Sequence, residues 1–416
     1  MISDVGQLVD HLFRHQYGHL VSMLTRIFGF DNLDFVEDVV QETLLKALRH
    51  WPYHGIPDNP AGWLYQSARN HALDIIRRNA LFRDKAAQIA QELEGAGRPA
   101  PQTAETSLED DELAMIFACC HPALPRDTRV ALTLKTVGGF GVAEIARAFL
   151  TNDTTIAQWL VRAKRRLRDE FIVLKVPTDH EMRERLESVL DVLYFMFNEG
   201  YSAHSGANLV RFDLCEEAIR LVQLLALNPA GDRPVVHALA ALMLLQASRL
   251  SARQTSDGQL LLLADQDRTL WDRRLIDRGL YHLSQAAQGQ ELTAYHLEAG
   301  IAACHSLAPM YELTDWHQIL GYYDQLVQLN PSPVVILNRA VALSMIEGPH
   351  SGIRQLHAIQ QRVPMKEYFL FHATLADFCR RAGLTREARD AYQQAVQFAG
   401  SDAERRFLLG KLETLE

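Results

Sequence analysis

The stretch Thr151–Asp169, which reads TNDTTIAQWLVRAKRRLRD, decides the fold class of the first part of this chain. Its apolar residues recur at spacings of four, three and four, the period of one face of an α-helix. The turn and capping residues Thr151-Asn152-Asp153 come first, and a shorter apolar helix pattern runs from Ala143 to Phe149. The positions expected to be buried in the second helix are Ile156, Leu160, Ala163 and Leu167. The sequence therefore predicts two helices joined by a tight turn.

The opposite face of the second helix is polar. Gln158, Arg162 and Arg165 follow one another at spacings of four and three, and five of the seven residues Arg162–Arg168 are basic. Arginine reads guanine bidentately, glutamine reads adenine, and cations at the flanks neutralise phosphates. This face suits the major groove of DNA in the manner of a helix-turn-helix. The alternative is a solvated amphipathic helix with surface arginines.

A second polar stripe lies on the segment Trp63–Arg78, WLYQSARNHALDIIRR. The positions expected to face inward are Leu64, Ala68, Ala72, Ile75 and Ile76. The outward stripe consists of Asn70, Asp74, Arg77 and Arg78, close in sequence to the aromatic residues Trp51, Tyr53, Trp63 and Tyr65. Such a surface can hold unstacked bases by ring contact and hydrogen bonds, while the arginines take phosphates. An ion-paired surface helix with core tryptophans is the alternative.

The helix pattern before it also has two faces. Its apolar stripe consists of Val39, Val40, Thr43, Leu44, Ala47 and Leu48. The outward side carries Asp38, Gln41, Glu42 and Lys46. This side is either a polar docking face or a solvated one.

Composition and charge describe an ordinary globular chain. Of its 416 residues, 48% are hydrophobic and 22% are charged, which excludes a disordered or fibrous protein. The 42 basic residues are outnumbered by 51 acidic ones, for a net charge of −9, so any DNA binding must be local. Apolar spacings of three and four recur almost throughout, without strand-type alternation. We therefore expect an all-α fold.

Membrane, disulfide and metal signals are weak. The longest apolar stretch, Val235–Ala247, is shorter than the roughly 20 residues that a membrane crossing needs, and no secretion signal is visible at the start. We expect a cytoplasmic protein with no membrane contact. The five cysteines are scattered, which argues against a disulfide framework. Cys119-Cys120-His121 could bind a metal only with distant partners, so we expect buried thiols, no metal and no cofactor.

The carboxy-terminal part contains an imperfect internal repeat. QLLALNP at Gln223–Pro229 returns as QLVQLNP at Gln325–Pro331, 102 residues later, which is three times the 34-residue period of tetratricopeptide helix pairs. A further unit fits Glu367–Gly400, where Gly383 is placed in the turn. The register is lost between Arg233 and Leu297. We expect a tetratricopeptide-like array, with a generic array of helical hairpins as the alternative.

These motifs, taken in order, resemble the bacterial extracytoplasmic-function sigma factors of the sigma-70 family. The matching residues are Asp38 to Thr43, Trp63-Leu64, Ala68-Arg69-Asn70, Asp74, Arg77-Arg78 and the helix-turn-helix that ends in RAKRRL. The chain is similar in particular to a subgroup with a long tetratricopeptide-like helical extension. The extension motifs that carry this likeness are Phe197–Tyr201, Asp265–Arg268, Trp271-Asp272 and Leu337–Ala342.

The resemblance implies a domain order and site residues. It implies sigma region 2 at residues 1–80, an acidic linker at 81–112, sigma region 4 at 113–176 and the extension at 177–416. The residues implied for docking on core RNA polymerase are Asp38, Gln41, Glu42 and Leu45. Those implied for the minus-10 element are Trp63, Asn70, Asp74, Arg77 and Arg78. Those implied for the minus-35 element are Thr155, Ala157, Gln158, Val161, Arg162, Lys164, Arg165 and Arg166.

The implied partners are promoter DNA and two parts of the polymerase, the beta-prime clamp helices and the beta flap. The implied function is to bind core polymerase, recognise promoters and open DNA. We further expect the extension to regulate activity, either by packing on the sigma domains or by receiving a regulatory protein.

Two rival functions are weighed against this one. An enzyme could use Glu199, Asp265 and Asp267 as paired carboxylates, with His296 or His305 as a base. The charges around Arg268 and Asp272 have mixed signs, which favours structural ion pairs, so we expect no enzyme. A one-component helix-turn-helix regulator with a ligand-binding helical domain is the other rival, but it leaves Trp63–Arg78 without a role.

Overall fold

A computed structural model describes most of the chain. The described ranges are residues 16–78, 111–149, 151–172, 174–177, 179–201, 212–229, 231–253, 255, 261–360, 368–400 and 402–415. Within these ranges the regular elements are helices and no strand occurs, which confirms the predicted all-α class. The chain divides into two compact units between Met196 and Phe197.

The amino-terminal unit is built from eight α-helices among the described residues. They are α1 at residues 16–28, α2 Leu33–His54, α3 Pro60–Arg78, α4 at 111–119, α5 Arg126–Thr136, α6 Val142–Ala148, α7 Asp153–Asp169 and α8 Asp179–Tyr201. A short 3-10 turn, Phe30–Asn32, leads into α2. The division between the units falls inside α8.

Helices α6 and α7 form the predicted pair. The side chain of Asn152 caps α7 by accepting a hydrogen bond from the Thr155 amide at 2.9 Å. The four predicted inward positions of α7 are buried: Ile156, Leu160, Ala163 and Leu167. Trp159 packs edge-on against Phe149 at 5.5 Å between ring centroids.

The helices of the first 78 residues pack directly on those after residue 110. A Cβ atom at Gly18 in α1 would lie 2.1 Å from the Val137 carbonyl oxygen, so only glycine allows this approach of α1 to the end of α5. Arg26 of α1 forms an ion pair with Asp111 of α4 at 2.9 Å. The two modules expected from the sequence therefore form one compact unit in this structure.

The carboxy-terminal unit is a succession of helices packed on their neighbours in sequence. They are α9 Phe212–Leu227, α10 Pro234–Ala247, α11 Arg273–Ala286, α12 Ala294–Leu307, α13 Trp316–Leu329, α14 Pro333–Glu347, α15 Pro349–Gln360, α16 Phe369–Arg381, α17 Thr385–Phe398 and α18 Asp402–Glu413. Helix pairs such as α16 and α17 form antiparallel hairpins, and Gly383 takes φ +76° in the turn between them.

The internal repeat corresponds to equivalent structure. In both copies a helix ends at the leucine before Asn-Pro, at Leu227 and at Leu329, and a new helix begins on a nearby proline, Pro234 or Pro333. Between α10 and α11 the described residues include three short 3-10 turns and no regular hairpin, which explains why the repeat register is lost there.

Helix α10 contains the longest apolar stretch. Residues 234–252 pass a test of length and hydropathy for a membrane span, but 78% of that window is buried inside the protein. Neighbouring helices α9, α11 and α12 cover it. Helix α10 is therefore a buried core helix of the carboxy-terminal unit.

Candidate nucleic-acid interface

A polar groove of about 420 Å³ runs between α2 and α3. Its walls are formed by Glu42, Thr43, Lys46, Arg49, His50, Ser67, Asn70, His71 and Asp74. Asn70 and Asp74, expected at the minus-10 element, therefore face Glu42, expected at the polymerase. The Asn70 side-chain oxygen accepts a hydrogen bond from Gln66 at 2.9 Å, which orients the amide along the exposed side of α3.

Aromatic rings gather at one end of α2 and the start of α3. His50 stacks on Trp63 with centroids 5.8 Å apart and an interplanar angle of 13°, and His54 stacks on His50 at 3.9 Å. Trp51 is buried and meets Trp63 edge-on at 5.6 Å, while the Lys46 ammonium lies 5.9 Å from the Trp63 ring. Trp63 thus remains half-buried on a rigid support, beside cations that can contact a phosphate.

Sequence reasoning missed the groove residues Arg49, His50 and His71. Lys46, Arg49 and His50 follow Glu42 at spacings of four, seven and eight on one face of α2, so helical periodicity could have grouped them. Nothing in the sequence alone shows that this face lies opposite Asn70.

The α2 face expected for docking is exposed as predicted. Asp38, Gln41, Glu42 and Leu45 all face solvent, and Leu45 exposes 42% of its surface. One expectation was wrong: Leu48, assigned to the buried stripe, is 47% exposed, whereas Ala47 and Trp51 beside it are buried, so the packed face of α2 is narrower than the apolar stripe. Arg77 and Arg78 end α3, and their side chains lie outside the described residues.

The outer face of α7 presents most of the residues expected at the minus-35 element. Ala157, Gln158, Val161, Arg162, Arg165 and Arg166 are exposed, and Val161 shows 67% of its surface. Arg165 and Arg166 form ion pairs one turn along the helix with Asp169 and Glu170. Thr155 is half-buried and its hydroxyl lies 3.0 Å from the capping Asn152 oxygen, so this side chain serves the helix start.

Lys164 differs from the other basic residues of α7. Its ammonium lies 2.7 Å from Asp34 and 2.8 Å from Glu37, both on α2, and its side chain is 11% exposed. Burial alone would lower the pKa of Lys164, but these carboxylates together hold it above its ordinary value. Arg168 lies 3.8 Å from Asp31 in the same region. Lys164 therefore joins the two parts of this unit instead of standing with the exposed cations.

The two adjacent cysteines that the sequence predicts to be buried thiols are buried. Cys119 and Cys120 are fully buried against Thr136 and Thr133, and burial raises the pKa of the Cys120 thiol to about 12. Within the described ranges, no three potential ligand side chains converge on a metal position.

Two of the rival catalytic residues, Asp267 and His296, have capping roles, as does the neighbouring Asp272. Asp267 accepts from the Thr269 amide and Asp272 from the Arg274 and Leu275 amides, while His296 belongs to the capping box that starts α12. Arg268 donates to the His305 and Ala308 carbonyls at 2.7 Å. Asp267 and Asp272 therefore form helix caps instead of the expected ion pairs, because each of them directly precedes the free backbone amides of a helix start.

Comparison with known families matches this architecture. The model of sigma-70 region 2 matches residues 12–82, that of sigma-70, region 4 matches residues 114–167, and a family of unknown function, DUF6596, matches residues 185–287. Sigma-70 factors are non-enzymatic factors of transcription initiation that act in the cytoplasm. No solved structure gave a significant match.

Three relatives show how far the likeness extends. An uncharacterized protein of Rhizobium meliloti is 38% identical and spans 93% of this chain and 91% of its own length. The ECF RNA polymerase sigma factor SigE of Mycolicibacterium smegmatis is 26% identical over 38% of this chain and 60% of that protein. SigL of Mycobacterium tuberculosis is 34% identical over 32% of this chain and 72% of that protein. The chain belongs to the sigma-70 family, in its extracytoplasmic-function class, as a member with a long helical carboxy-terminal extension.

Proposed function

We propose that this protein binds core RNA polymerase, recognises promoters through two DNA contacts and opens the duplex for transcription initiation. The observation that carries the proposal is the pairing, in one compact unit, of the α2–α3 groove with the exposed polar face of α7. We keep the four segments of the sequence, residues 1–80, 81–112, 113–176 and 177–416, as its functional division.

The exposed face of α2 is the proposed docking site for the polymerase beta-prime clamp helices. Asp38, Gln41 and Glu42 offer polar and acidic groups, and the exposed Leu45 adds an apolar contact at their centre. A charged rim around an apolar contact is the usual composition of a protein interface.

The groove and the Trp63 ring are the proposed minus-10 site. Parting DNA costs roughly 1.4 kcal/mol for each stacking step. Stacking of an extruded base on an aromatic ring returns about 1 to 3 kcal/mol, and Asn70 and Asp74 can hydrogen-bond its edge. Lys46 and Arg49 are placed to contact the strand's phosphates, and Arg77 and Arg78 extend the same role along α3.

The face of α7 is the proposed minus-35 site. Gln158 and Arg162 have the side chains for base-edge readout, Ala157 and Val161 give apolar contact, and Arg165 and Arg166 lie at phosphate positions. Lys164 reaches DNA in this scheme only after its pairs with α2 open. Docking of residues 113–176 against the beta flap completes the proposed complex.

The extension is the proposed regulator of activity, in a protein that works in the cytoplasm. A helical array of this kind offers a continuous surface for a regulatory protein or ligand.

A run-off transcription assay with core polymerase and the gene's own upstream DNA tests the main proposal. We expect transcript only when both protein and core are present, and a 10- to 100-fold loss with Trp63→Ala, from lost base stacking. Arg274→Ala, an exposed arginine in the extension, is the control and should leave the output unchanged. Binding of the protein alone to promoter DNA, without capture of core polymerase, would reject the proposal.

The regulatory part needs its own variant. A chain ending at Tyr201 keeps all of α8. This helix packs on the helix-turn-helix through Phe195 and Phe149, with ring centroids 5.4 Å apart, and on α5 through the ion pair of Asp191 and Arg126 at 3.4 Å. We expect run-off output of this variant to differ from that of the full chain. The truncated chain should show normal helical circular dichroism. If its run-off output then equals that of the full chain, regulation by the extension is excluded.

A further inference from the structure

The carboxy-terminal unit contains a cleft of about 540 Å³. Its walls are mainly apolar and aromatic, with Val341 and Met345 from α14, Phe369 and Phe378 from α16, and Phe407 and Leu408 from α18. Small-molecule sites typically enclose about 300 to 1,000 Å³ and combine apolar walls with a few polar groups. The cleft has the size and lining of a site for one small ligand.

Three cations stand around this apolar surface: Arg253, Arg381 and Lys411. The Arg253 guanidinium donates to the Tyr201 carbonyl and lies flat over the Tyr201 ring, 3.8 Å from its centroid. In the described part of the chain no carboxylate lies within ion-pair distance of Arg253. Among the described residues its partners are neutral, and burial lowers its pKa.

Two acidic residues, Asp377 and Glu404, also line the cleft, and each has a partner. Asp377 lies 2.7 Å from Arg380 and 3.7 Å from Arg381, so one carboxylate serves two guanidinium groups. Glu404 accepts a hydrogen bond from the Gly400 amide at the start of α18. With three cations against two carboxylates, the lining of the cleft carries a net positive charge.

Nearby arginines strengthen that excess. Arg249 also faces the Tyr201 ring, at 5.5 Å, and donates a hydrogen bond to the neutral Gln246 side-chain amide at 2.7 Å. Arg268 lies over Trp271 and binds two carbonyls. An uncompensated buried cation is costly unless an anion binds beside it, and arginine forks match carboxylates bidentately.

We propose that this cleft binds a small amphipathic carboxylate, with the anionic head at Arg253 and the apolar body along Met345, Phe369 and Phe407. The class combines the two properties of the cleft, an apolar wall and unneutralised cations at its edge. The proposal deepens the regulatory role proposed for the extension, since such a ligand would be its signal.

Isothermal titration of the full chain with three probes tests this proposal. Decanoate carries both the head and the body, decanol has the body alone, and butyrate has the head with a short body. We expect one decanoate to bind per chain, with at least tenfold weaker binding of decanol and of butyrate. Concentrations stay below those at which decanoate forms micelles.

Variants assign the binding to the cleft. Arg253→Gln should weaken decanoate about tenfold and leave decanol unchanged, whereas Arg253→Lys keeps the charge and should retain most of the affinity. Met345→Trp fills the apolar space and should abolish binding of both long probes. Arg274→Gln, on the exposed side of α11, is the matched control and should bind like the wild type. Thermal unfolding confirms that each variant is folded.

Three outcomes overturn the proposal. They are absence of decanoate binding, equal decanoate affinity in Arg253→Gln and wild type when both are folded, and binding of an acidic amphipathic peptide at the cleft in place of decanoate. The assay contains no polymerase, so its failure is distinct from failure of the sigma-factor function, which the run-off assay measures.

Discussion

Two partly buried cations, one in each unit, are treated in opposite ways. Lys164 of the amino-terminal unit lies within 2.8 Å of two carboxylates, whereas Arg253 of the carboxy-terminal unit rests on a carbonyl and an aromatic ring. A cation that is paired with carboxylates inside the protein stabilises the folded state. A cation held only by neutral groups keeps a charge that an external anion can satisfy. The first arrangement is structural, and the second is suited to binding.

Among the substitutions that test this comparison, removal of the Lys164 charge should change the free energy of unfolding most. Lys164→Met leaves the 9% exposed Glu37 carboxylate without its partner, which should lower the free energy of unfolding by about 3 kcal/mol. Urea unfolding measures the change. Arg165→Met, on the same helix but 80% exposed, is the control and should cost less than about 0.5 kcal/mol. Equal losses in both variants would show that Lys164 is not a structural cation.

The cationic cluster of the carboxy-terminal unit predicts an acid-sensitive histidine. Burial, Arg249 and Arg268 lower the pKa of His305 to about 3, so the folded state keeps it neutral where the unfolded state binds a proton. This contribution to stability is complete above about pH 6.5 and is lost as the pH falls towards 3. Between pH 6.5 and 5 the loss should be about 1.5 kcal/mol.

Replacement of the titrating ring separates this effect from general acid sensitivity. His305→Phe keeps the edge-on ring contact with Trp316 but cannot be protonated. Urea unfolding at the two pH values should show a shallower pH dependence than in the wild type. An unchanged pH dependence would exclude His305 as the titrating group.

Helix caps allow a matched comparison, because both units use the same chemistry. Asn152 caps α7 through one amide and Asp272 caps α11 through two. We expect Asn152→Ala and Asp272→Ala each to cost about 1 kcal/mol in unfolding free energy. If either substitution is neutral in urea unfolding, that helix start is satisfied by other groups.

The smallest stability effect belongs to an exposed cation of α7. Arg166→Ala removes a surface ion pair with Glu170 and should change unfolding by less than about 0.5 kcal/mol. In the polymerase complex it should weaken promoter binding and lower the salt slope of log affinity by about 0.9, one phosphate contact. A normal salt slope would remove Arg166 from the proposed DNA contacts.

Local patterns in the sequence predicted local structure well. The spacing of Ile156, Leu160, Ala163 and Leu167 predicted the buried face of α7, and Asn152 was recognised as capping chemistry. Leu48 was misassigned, because helical spacing cannot show how wide a part of an apolar face its partners cover. The capping roles of Asp267 and Asp272 were also missed, since a mixed run of charges fits ion pairs and caps equally well.

The sequence by itself determined the helices, their polar faces and the order of the two sigma regions, because these depend on residues a few positions apart. Tertiary structure alone decided that Lys164 meets Asp34, 130 residues away, and that Arg253 lies on the Tyr201 ring with no carboxylate of the described residues beside it. Such pairings depend on which helix faces pack together, and that is settled by the fit of many side chains at once.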